Sequence, residues 1–296
     1  MSCVRRHSIE AISQVANVKV SGVDWSDYDT KKTVEENRLN IMPESDLILW
    51  YKPLGGRNLL PLIGCKSLTV PACLRFNECY WPDKRAAKEV EQSGTSIVIC
   101  HHAHDMRQFK TCKDAKVVHI PHCAAPVFKN NKPYQNRPID CLLTGVISQE
   151  IYPLRQKWFD LIRAGAIPGE IRYHPGYRTT DNSSREQQIV EYADHLSRAK
   201  IALVCSSVYK YPLAKYVEAA MSGCLVVGDM PLAAPKEYSD FVVEPENETE
   251  SGLTATIRYW MRNKTAAARR AKAGQEIASR MFSQKKYAQM FLEAVK

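Results

Sequence analysis

Short apolar runs alternate with longer amphipathic stretches along the chain, the pattern of a parallel sheet covered by helices. Residues 8–16 read as a helix and Val18-Lys-Val-Ser-Gly-Val as a strand, followed by a helix over Lys31–Leu39 and a strand at Leu47-Ile-Leu-Trp-Tyr. A short strand is expected at Leu68-Thr-Val, a helix over Lys84–Gln92, and strands at Ser96–Cys100 and Lys116-Val-Val-His-Ile, the last ending at Pro121. The polar, proline-bearing stretch Phe128-Lys-Asn-Asn-Lys-Pro-Tyr-Gln-Asn-Arg-Pro breaks the pattern and reads as a linker. Alternation then restarts, with strands at Ile139–Leu143, Glu170–Tyr173, Lys200–Cys205, Leu225–Asp229 and Phe241–Val243. Helices over Leu154–Ala164, Glu186–Ser197 and Leu213–Ser222 lie between them, and two basic helices close the chain. The fold class is therefore α/β, as two Rossmann-like domains facing across a cleft, where ligands bind at the carboxyl ends of the strands. Because a helix precedes the Val18–Val23 strand, a first strand with its Gly-rich loop is missing: either the N-terminal domain is shortened or the sequence is a fragment.

Composition adds boundaries rather than detail. With 45% hydrophobic and 25% charged residues over 296 positions, the chain is globular, and the length suggests two domains. No apolar run approaches the roughly 20 residues that span a bilayer, and the start lacks the apolar stretch of a signal peptide. Ten scattered cysteines form no C-x-x-C pair, and several sit inside apolar runs, so reduced thiols in a cytoplasmic protein are expected. The net charge of +9 is local: between Arg258 and Lys286 nine basic residues face one acid, a surplus of eight. This Ala-rich stretch, 258–286, is a solvated helical face or a surface for an anionic membrane or phosphate-rich substrate. No nucleic-acid-binding signature is present in the sequence.

The most informative segment runs from Tyr192 to Pro231. A strand ending at Cys205 leads through the polar loop Ser206–Tyr211 to Pro212, which opens a helix. That helix start offers free N–H groups and a positive dipole end to a diphosphate, and Lys215 adds a cation one turn in. Glu218, three residues further on the same face, suits the two hydroxyls of a ribose, and Gly223 ends the helix.

This arrangement resembles the C-terminal domain of GT-B glycosyltransferases of the "glycosyl transferases group 1" class, through Glu218-Ala-Ala-Met-Ser-Gly223 followed by Val226-Val227. The resemblance extends to Asp140-Cys-Leu-Leu-Thr-Gly-Val, Tyr152-Pro-Leu-Arg155, His119-Ile-Pro-His-Cys and the closing Met281-Phe-Ser-Gln-Lys-Lys-Tyr. It implies an acceptor-binding domain over 1–128, a linker at 129–138, a nucleotide-sugar-binding domain over 139–280, and a helix over 281–296 that returns to the first domain. It also implies donor contacts from Glu218 to the ribose, from Ser207, Lys215 and Arg155 near the diphosphate, from His174 near the base, and from Tyr211. Many members carry a second Glu eight positions before the helix Glu, where this chain has Lys210. That departure puts the family's donor-sugar contact and a retaining mechanism in question, and Lys210 could instead balance diphosphate charge.

Acceptor chemistry is expected in the N-terminal half. Cys100-His-His-Ala-His-Asp-Met supplies candidates for a base that takes a hydroxyl proton, His102 and Asp105 first among them. Asp24, Arg75 and Glu78 are candidate acceptor contacts, as is the glycine-bearing loop Lys52-Pro-Leu-Gly-Gly-Arg57. Asp27-Tyr-Asp29 has the form of a metal–nucleotide motif, but its context reads as a helix cap. Cys112, His119, His122 and Cys123 match no usual zinc spacing, so no metal is expected. The function expected is a metal-independent hexosyl or pentosyl transfer from a nucleoside diphosphate sugar, UDP or GDP, to a hydroxyl of a glycan or other acceptor. A nucleotide-sugar epimerase of the same fold and a non-catalytic glycan- or partner-binding relic remain the alternatives.

Overall fold

The computed structural model describes residues 3–22, 25–51, 65–79, 85–174 and 182–296. The chain divides into two compact units: Ile9–Pro121 with Ala288–Lys296, and His122–Tyr287 with Met1–Ser8.

Helix α1 (Cys3–Ser13) begins in the second unit and ends in the first. In the N-terminal unit follow α2 (Val34–Ile41), β1 (Ile48–Tyr51), β2 (Ala72–Phe76), α3 (Arg85–Ser93), β3 (Ile97–Cys100) and β4 (Lys116–His119). All four strands are parallel, in the order β1-β2-β3-β4, so among the described residues the sheet adds strands in one direction only. β2 and β3 are buried throughout, as expected for parallel strands covered on both faces. Leu74, Phe76, Val90, Val98 and Phe109 form the core beneath them.

Two expected strands are absent. Residues 18–22 carry no regular structure; Lys19 pairs with Asp27, and the Ser21 hydroxyl donates to the same carboxylate at 2.7 Å. The Val-Lys-Val alternation favours extended backbone, but among the described residues no strand lies beside it to complete a ladder. The strand expected at Leu68-Thr-Val forms instead at Ala72–Phe76, where pairing with β1 and β3 decides its position. The cap of α2 is Thr33, in a reciprocal box with Glu36, rather than Asp27 or Asp29. Asp29 closes a turn onto the Lys31 amide at 2.9 Å.

The C-terminal unit contains β5 (Ile139–Gly145), α4 (Pro153–Arg163), β6 (Glu170–Tyr173), α5 (Asn182–Arg198), β7 (Ala199–Leu203), α6 (Ala214–Met221), β8 (Leu225–Val227), α7 (Tyr238–Phe241), β9 (Val242–Val243), α8 (Glu250–Arg262) and α9 (Lys264–Met281). α10 (Gln284–Val295) starts in this unit and ends in the other. The five strands are parallel, in the order β6-β5-β7-β8-β9, with apolar clusters on both faces. Each unit is thus a parallel sheet flanked by helices, and the chain is built from two Rossmann-like domains.

The order of the second sheet locates its ligand crevice. From β5 the chain moves outward to β6, then returns to the other side of β5 for β7. The connections leaving β5 and β7 therefore diverge, and the gap outside the carboxyl ends of these two strands is the switch point where open α/β sheets bind ligands. The segment 129–138 is tied down at one end: Arg137 is buried and donates to the carbonyls of Lys132 and Ala199.

Candidate functional site

Four segments converge on the switch point: the end of β5 at Thr144-Gly145, the start of α4, the loop after β7, and α6. Gly145 has φ +116°, and a Cβ there would lie 2.9 Å from Arg155 Nη1 and 3.3 Å from Lys215 Cε. Only glycine fits, because two cationic side chains press against the backbone at the strand end. Arg155, in the first turn of α4, is buried at 3% exposure. Its Nη1 donates to the Val146 carbonyl at 2.9 Å, and its guanidinium lies 3.9 Å from the Tyr152 ring centroid. Lys215 reaches across from α6, its Nζ donating to Thr144 Oγ1 at 3.1 Å and sitting 4.8 Å from the Tyr192 ring centroid.

Glu218 lies one turn along α6 from Lys215 and is itself buried. Burial pushes its carboxyl pKa up, while the Lys215 charge and a hydrogen bond from Tyr192 pull it back. His174 follows β6, its amide bonded to the Gly145 carbonyl at 3.4 Å. Its pKa is lowered by burial and then by the charges of Lys215 and Arg155, which keeps the ring neutral at physiological pH. Two cations, a neutral imidazole and one buried carboxyl thus share the strand ends. Such a set is suited to a ligand that carries both negative charge and hydroxyl groups.

The loop after β7 is held from beneath by Asp229, which follows β8. Asp229 accepts from the Ser206 amide at 2.9 Å, from the Ser206 hydroxyl, and from Lys210 Nζ at 2.8 Å. The Tyr216 hydroxyl also donates to it, at 3.2 Å. Burial works to raise its carboxyl pKa, but Lys210 and Ser206 outweigh that and hold it below the ordinary value. Lys210 is therefore committed to Asp229. Ser207 has φ +66°, and its hydroxyl accepts from the Tyr209 amide at 3.2 Å, while Tyr211 is buried with its amide on the Ser206 carbonyl. Helix α6 starts at Ala214 with Leu213 as its cap, two residues beyond the expected opening at Pro212.

Arg155, His174, Lys215 and Glu218 are thus brought together, with Ser207 and Tyr211 in the adjoining loop. Three contributors carry no sequence role in isolation: Gly145, Tyr192 and Asp229. The glycine after Thr144 and the aspartate after Gly228 are visible as strand-end residues, but only the fold aims them at this place.

In the N-terminal unit, Arg75 and Glu78 follow one another at the end of β2, and His102 and Asp105 follow β3. Arg75, His102 and Asp105 are buried, while Glu78 is half-buried. Asp24 and the Lys52–Arg57 loop lie outside the described residues. Among the described residues no three His, Cys, Asp or Glu side chains gather in a metal-binding group, and the cysteines from Cys65 to Cys224 are all buried.

No family model matches this sequence, and no curated protein is similar to it. Solved structures are similar in fold. A glycosyltransferase from Rickettsia africae ESF-5 superposes with a TM-score of 0.65 at 12% identity, over 98% of this chain and 93% of that one. AviGT4, a glycosyltransferase involved in avilamycin A biosynthesis, gives 0.56 at 13% identity, over 99% of this chain and 88% of that one. HepE of Anabaena, in complex with UDP and glucose, gives 0.51 at 14% identity, over 76% and 71%. Two parallel Rossmann-like sheets in this order, matched along nearly the whole chain, are the GT-B fold.

Proposed function

We propose that the protein is a glycosyltransferase that moves a hexosyl or pentosyl group from a nucleoside diphosphate sugar to a hydroxyl of a glycan or other acceptor, without a metal ion. The observation that carries this reading is the pair Arg155 and Lys215, pressed against Gly145 at the switch point beside the buried Glu218. In this reading the two cations receive the diphosphate and stabilise its charge as the sugar leaves, the role a metal ion would otherwise play. Glu218 receives the ribose hydroxyls, and the neutral His174 lies at the base. Because HepE is described with UDP and glucose, UDP is the first nucleotide to test, with GDP second.

The test is a thermal-shift series with UDP, GDP and their sugars. A ligand at 100 times its Kd stabilises the folded state by about 2.7 kcal/mol, well within detection. Lys215→Met and Glu218→Gln should each weaken the nucleotide response while leaving the unliganded transition in place. Full nucleotide binding by both variants would reject the site.

The reading extends to peripheral contact with an anionic membrane on the cytoplasmic side through 258–286. On α9, Ala267, Ala271, Gly274 and Ala278 face inward, while Arg269, Lys272 and Arg280 are exposed. None of the nine basic residues of this stretch has an ion-pair partner among the described residues. No described helix is long and apolar enough to cross a membrane. Co-sedimentation with vesicles containing phosphatidylglycerol, lost at high salt and in an Arg269→Glu/Lys272→Glu/Arg280→Glu variant, is the expected result. Salt-independent or unchanged binding would reject this surface.

A further inference from the structure

Tyr192, on α5, touches both charged residues that α6 sends to the switch point. Its ring centroid lies 4.8 Å from Lys215 Nζ, and its hydroxyl donates to the buried Glu218 carboxylate. The ring also meets Phe128 edge-on, with centroids 5.5 Å apart. Phe128 is itself buried in the turn Pro126–Phe128 and meets the His7 ring edge-on at 5.8 Å. Tyr192 packs as well on the apolar cluster that contains Val217 and Ala220. Packing of this kind fixes the ring and so fixes where its hydroxyl points.

Glu218 is under opposing demands. Burial favours the neutral acid. The ionised form, which only accepts hydrogen bonds, is the one suited to the two donors of a vicinal diol. Lys215 and Tyr192 both support the ionised form. In the reading above, Lys215 also meets the diphosphate, so a bound nucleotide draws part of its charge away from Glu218. The Tyr192 hydroxyl is neutral and stays with the carboxylate. We propose that Tyr192 is the positioning residue that holds Glu218 as a two-hydroxyl acceptor, and that the pair makes the seat select a nucleotide with an intact ribose diol over its 2′-deoxy counterpart. This role rests on the nucleotide-sugar reading and supplies its selectivity.

Electrostatics support the role. The groups that face Glu218 are Lys215 from its own helix and Tyr192 from α5, with Arg155 of α4 and His174 after β6 across the strand ends. From α9, the uncharged Gln275 and Ser279 meet Met221, and β8 presents Leu225-Val-Val227. Asp229 is engaged by Ser206, Lys210 and Tyr216. Burial raises the Glu218 pKa, and Lys215 and then Tyr192 lower it. Removing the Tyr192 hydroxyl should raise it further, so the carboxylate, and the diol preference with it, is lost at higher pH.

Two measurements on the full chain test this in wild type and Tyr192→Phe, which keeps the ring and removes the donor. The first is the affinity ratio of UDP to 2′-deoxy-UDP, and of GDP to 2′-deoxy-GDP, by calorimetric titration. Protonation of the diphosphate is common to both members of each pair and cancels in the ratio. The second is a carbon-13 titration of the Glu218 carboxyl without nucleotide. The expected ratio is about tenfold or more in wild type and about threefold or less in Tyr192→Phe, as loss of a hydrogen bond to a charged group requires. The Glu218 pKa should be higher in the variant. A wild-type ratio near one, an equal loss of affinity for both nucleotides in Tyr192→Phe, or an unmoved Glu218 pKa overturns the role and leaves nucleotide binding standing. If Tyr192→Phe shows no cooperative melting transition, wild type decides. Its ratio should decline as pH drops through the measured Glu218 pKa, and a ratio indifferent to that pKa overturns the role. If neither UDP nor GDP binds wild type, the nucleotide-sugar reading fails and the role falls with it.

Discussion

Replacing Gly145 by alanine is the sharpest probe of the switch-point site, because it adds one methyl group where two cations meet. The backbone at Gly145 has φ +116°, a region other residues occupy only under strain of about 1–3 kcal/mol. The new Cβ would also stand 2.9 Å from Arg155 Nη1 and 3.2 Å from its Cζ, so the guanidinium must move. Movement breaks its bond to the Val146 carbonyl, and a hydrogen bond from a charged group is worth about 1.5–3 kcal/mol. Some relief is available from side-chain shifts, so a net loss of about 2–4 kcal/mol is expected, near the upper end for single substitutions. At roughly 2–4 °C per kcal/mol for a domain of this size, the melting temperature should drop by about 5–15 °C. Nucleotide affinity should fall at least tenfold, since about 1.4 kcal/mol suffices for that factor. Gly165→Ala is the control: its φ is +70°, but nothing lies within 4 Å of the added Cβ. It should lose stability through strain alone and keep nucleotide affinity. Calorimetric titration with UDP alongside a melting curve reads both quantities. Equal loss of affinity in both variants, or none in Gly145→Ala, would refute the claim that crowding by Arg155 and Lys215 defines the seat.

Three further outcomes follow from the electrostatics. Asp229→Asn should cost about 1–3 kcal/mol in urea unfolding, because Ser206 and Lys210 lose a charged acceptor; an unchanged midpoint would contradict the network. Glu35 is held at a pKa of about 2 by Arg38 and then Thr69, so the native state favours its carboxylate. Its contribution is complete above the unfolded value of 4.5 and is lost as pH falls toward about 2; the stability gap between wild type and Glu35→Gln should close over that window. Glu78 has the opposite sign: its raised pKa means the native state prefers the protonated form. Glu78→Gln should therefore match wild type below 4.5 and become relatively more stable as pH rises through about 7, measured by denaturation at each pH.

The C-terminal half of the fold was legible because its strands are uninterrupted apolar runs and its helices carry clear apolar faces. β5, β6, β7 and β8 fall within about two residues of their expected ends, in line with the usual uncertainty of element boundaries. β2 was not legible: Ala72-Cys-Leu-Arg-Phe has a charge in its middle, and Arg75 is buried there only because neighbouring strands enclose it. Leu68-Thr-Val offers better β formers but no partner, and pairing outweighs propensity. At the site, Lys215 and Glu218 could be read from their spacing along one helix. The φ of Gly145, the reach of Tyr192 from α5 and the support of the loop by Asp229 depend on contacts between distant positions. No local pattern encodes them.

The loop between β7 and α6 shows how the seat is set in the protein alone, and Lys210 is where that can be tested. Ser207 and Lys210 both have positive φ, +66° and +55°, within four residues. Non-glycine residues persist there when the surroundings over-determine the backbone. Here Asp229 grips Ser206 and Lys210, the Val208 amide bonds to the Ile151 carbonyl, and the Lys210 carbonyl accepts from the Leu232 amide at 2.8 Å. Replacing Lys210 by alanine or by glycine removes the same ion pair, so the two variants differ only in backbone preference. Elsewhere glycine is the worse of the two by about 0.5–1 kcal/mol, through the freedom it gives the unfolded chain. At φ +55° alanine carries a left-handed penalty of about 1–2 kcal/mol that glycine does not. The order should therefore reverse, with Lys210→Gly more stable than Lys210→Ala by about 0.5–1 kcal/mol in urea unfolding. The normal order, alanine above glycine, would mean that the loop relaxes out of its positive φ when Lys210 is lost. The Lys210–Asp229 pair would then be what holds the bend, rather than a consequence of it.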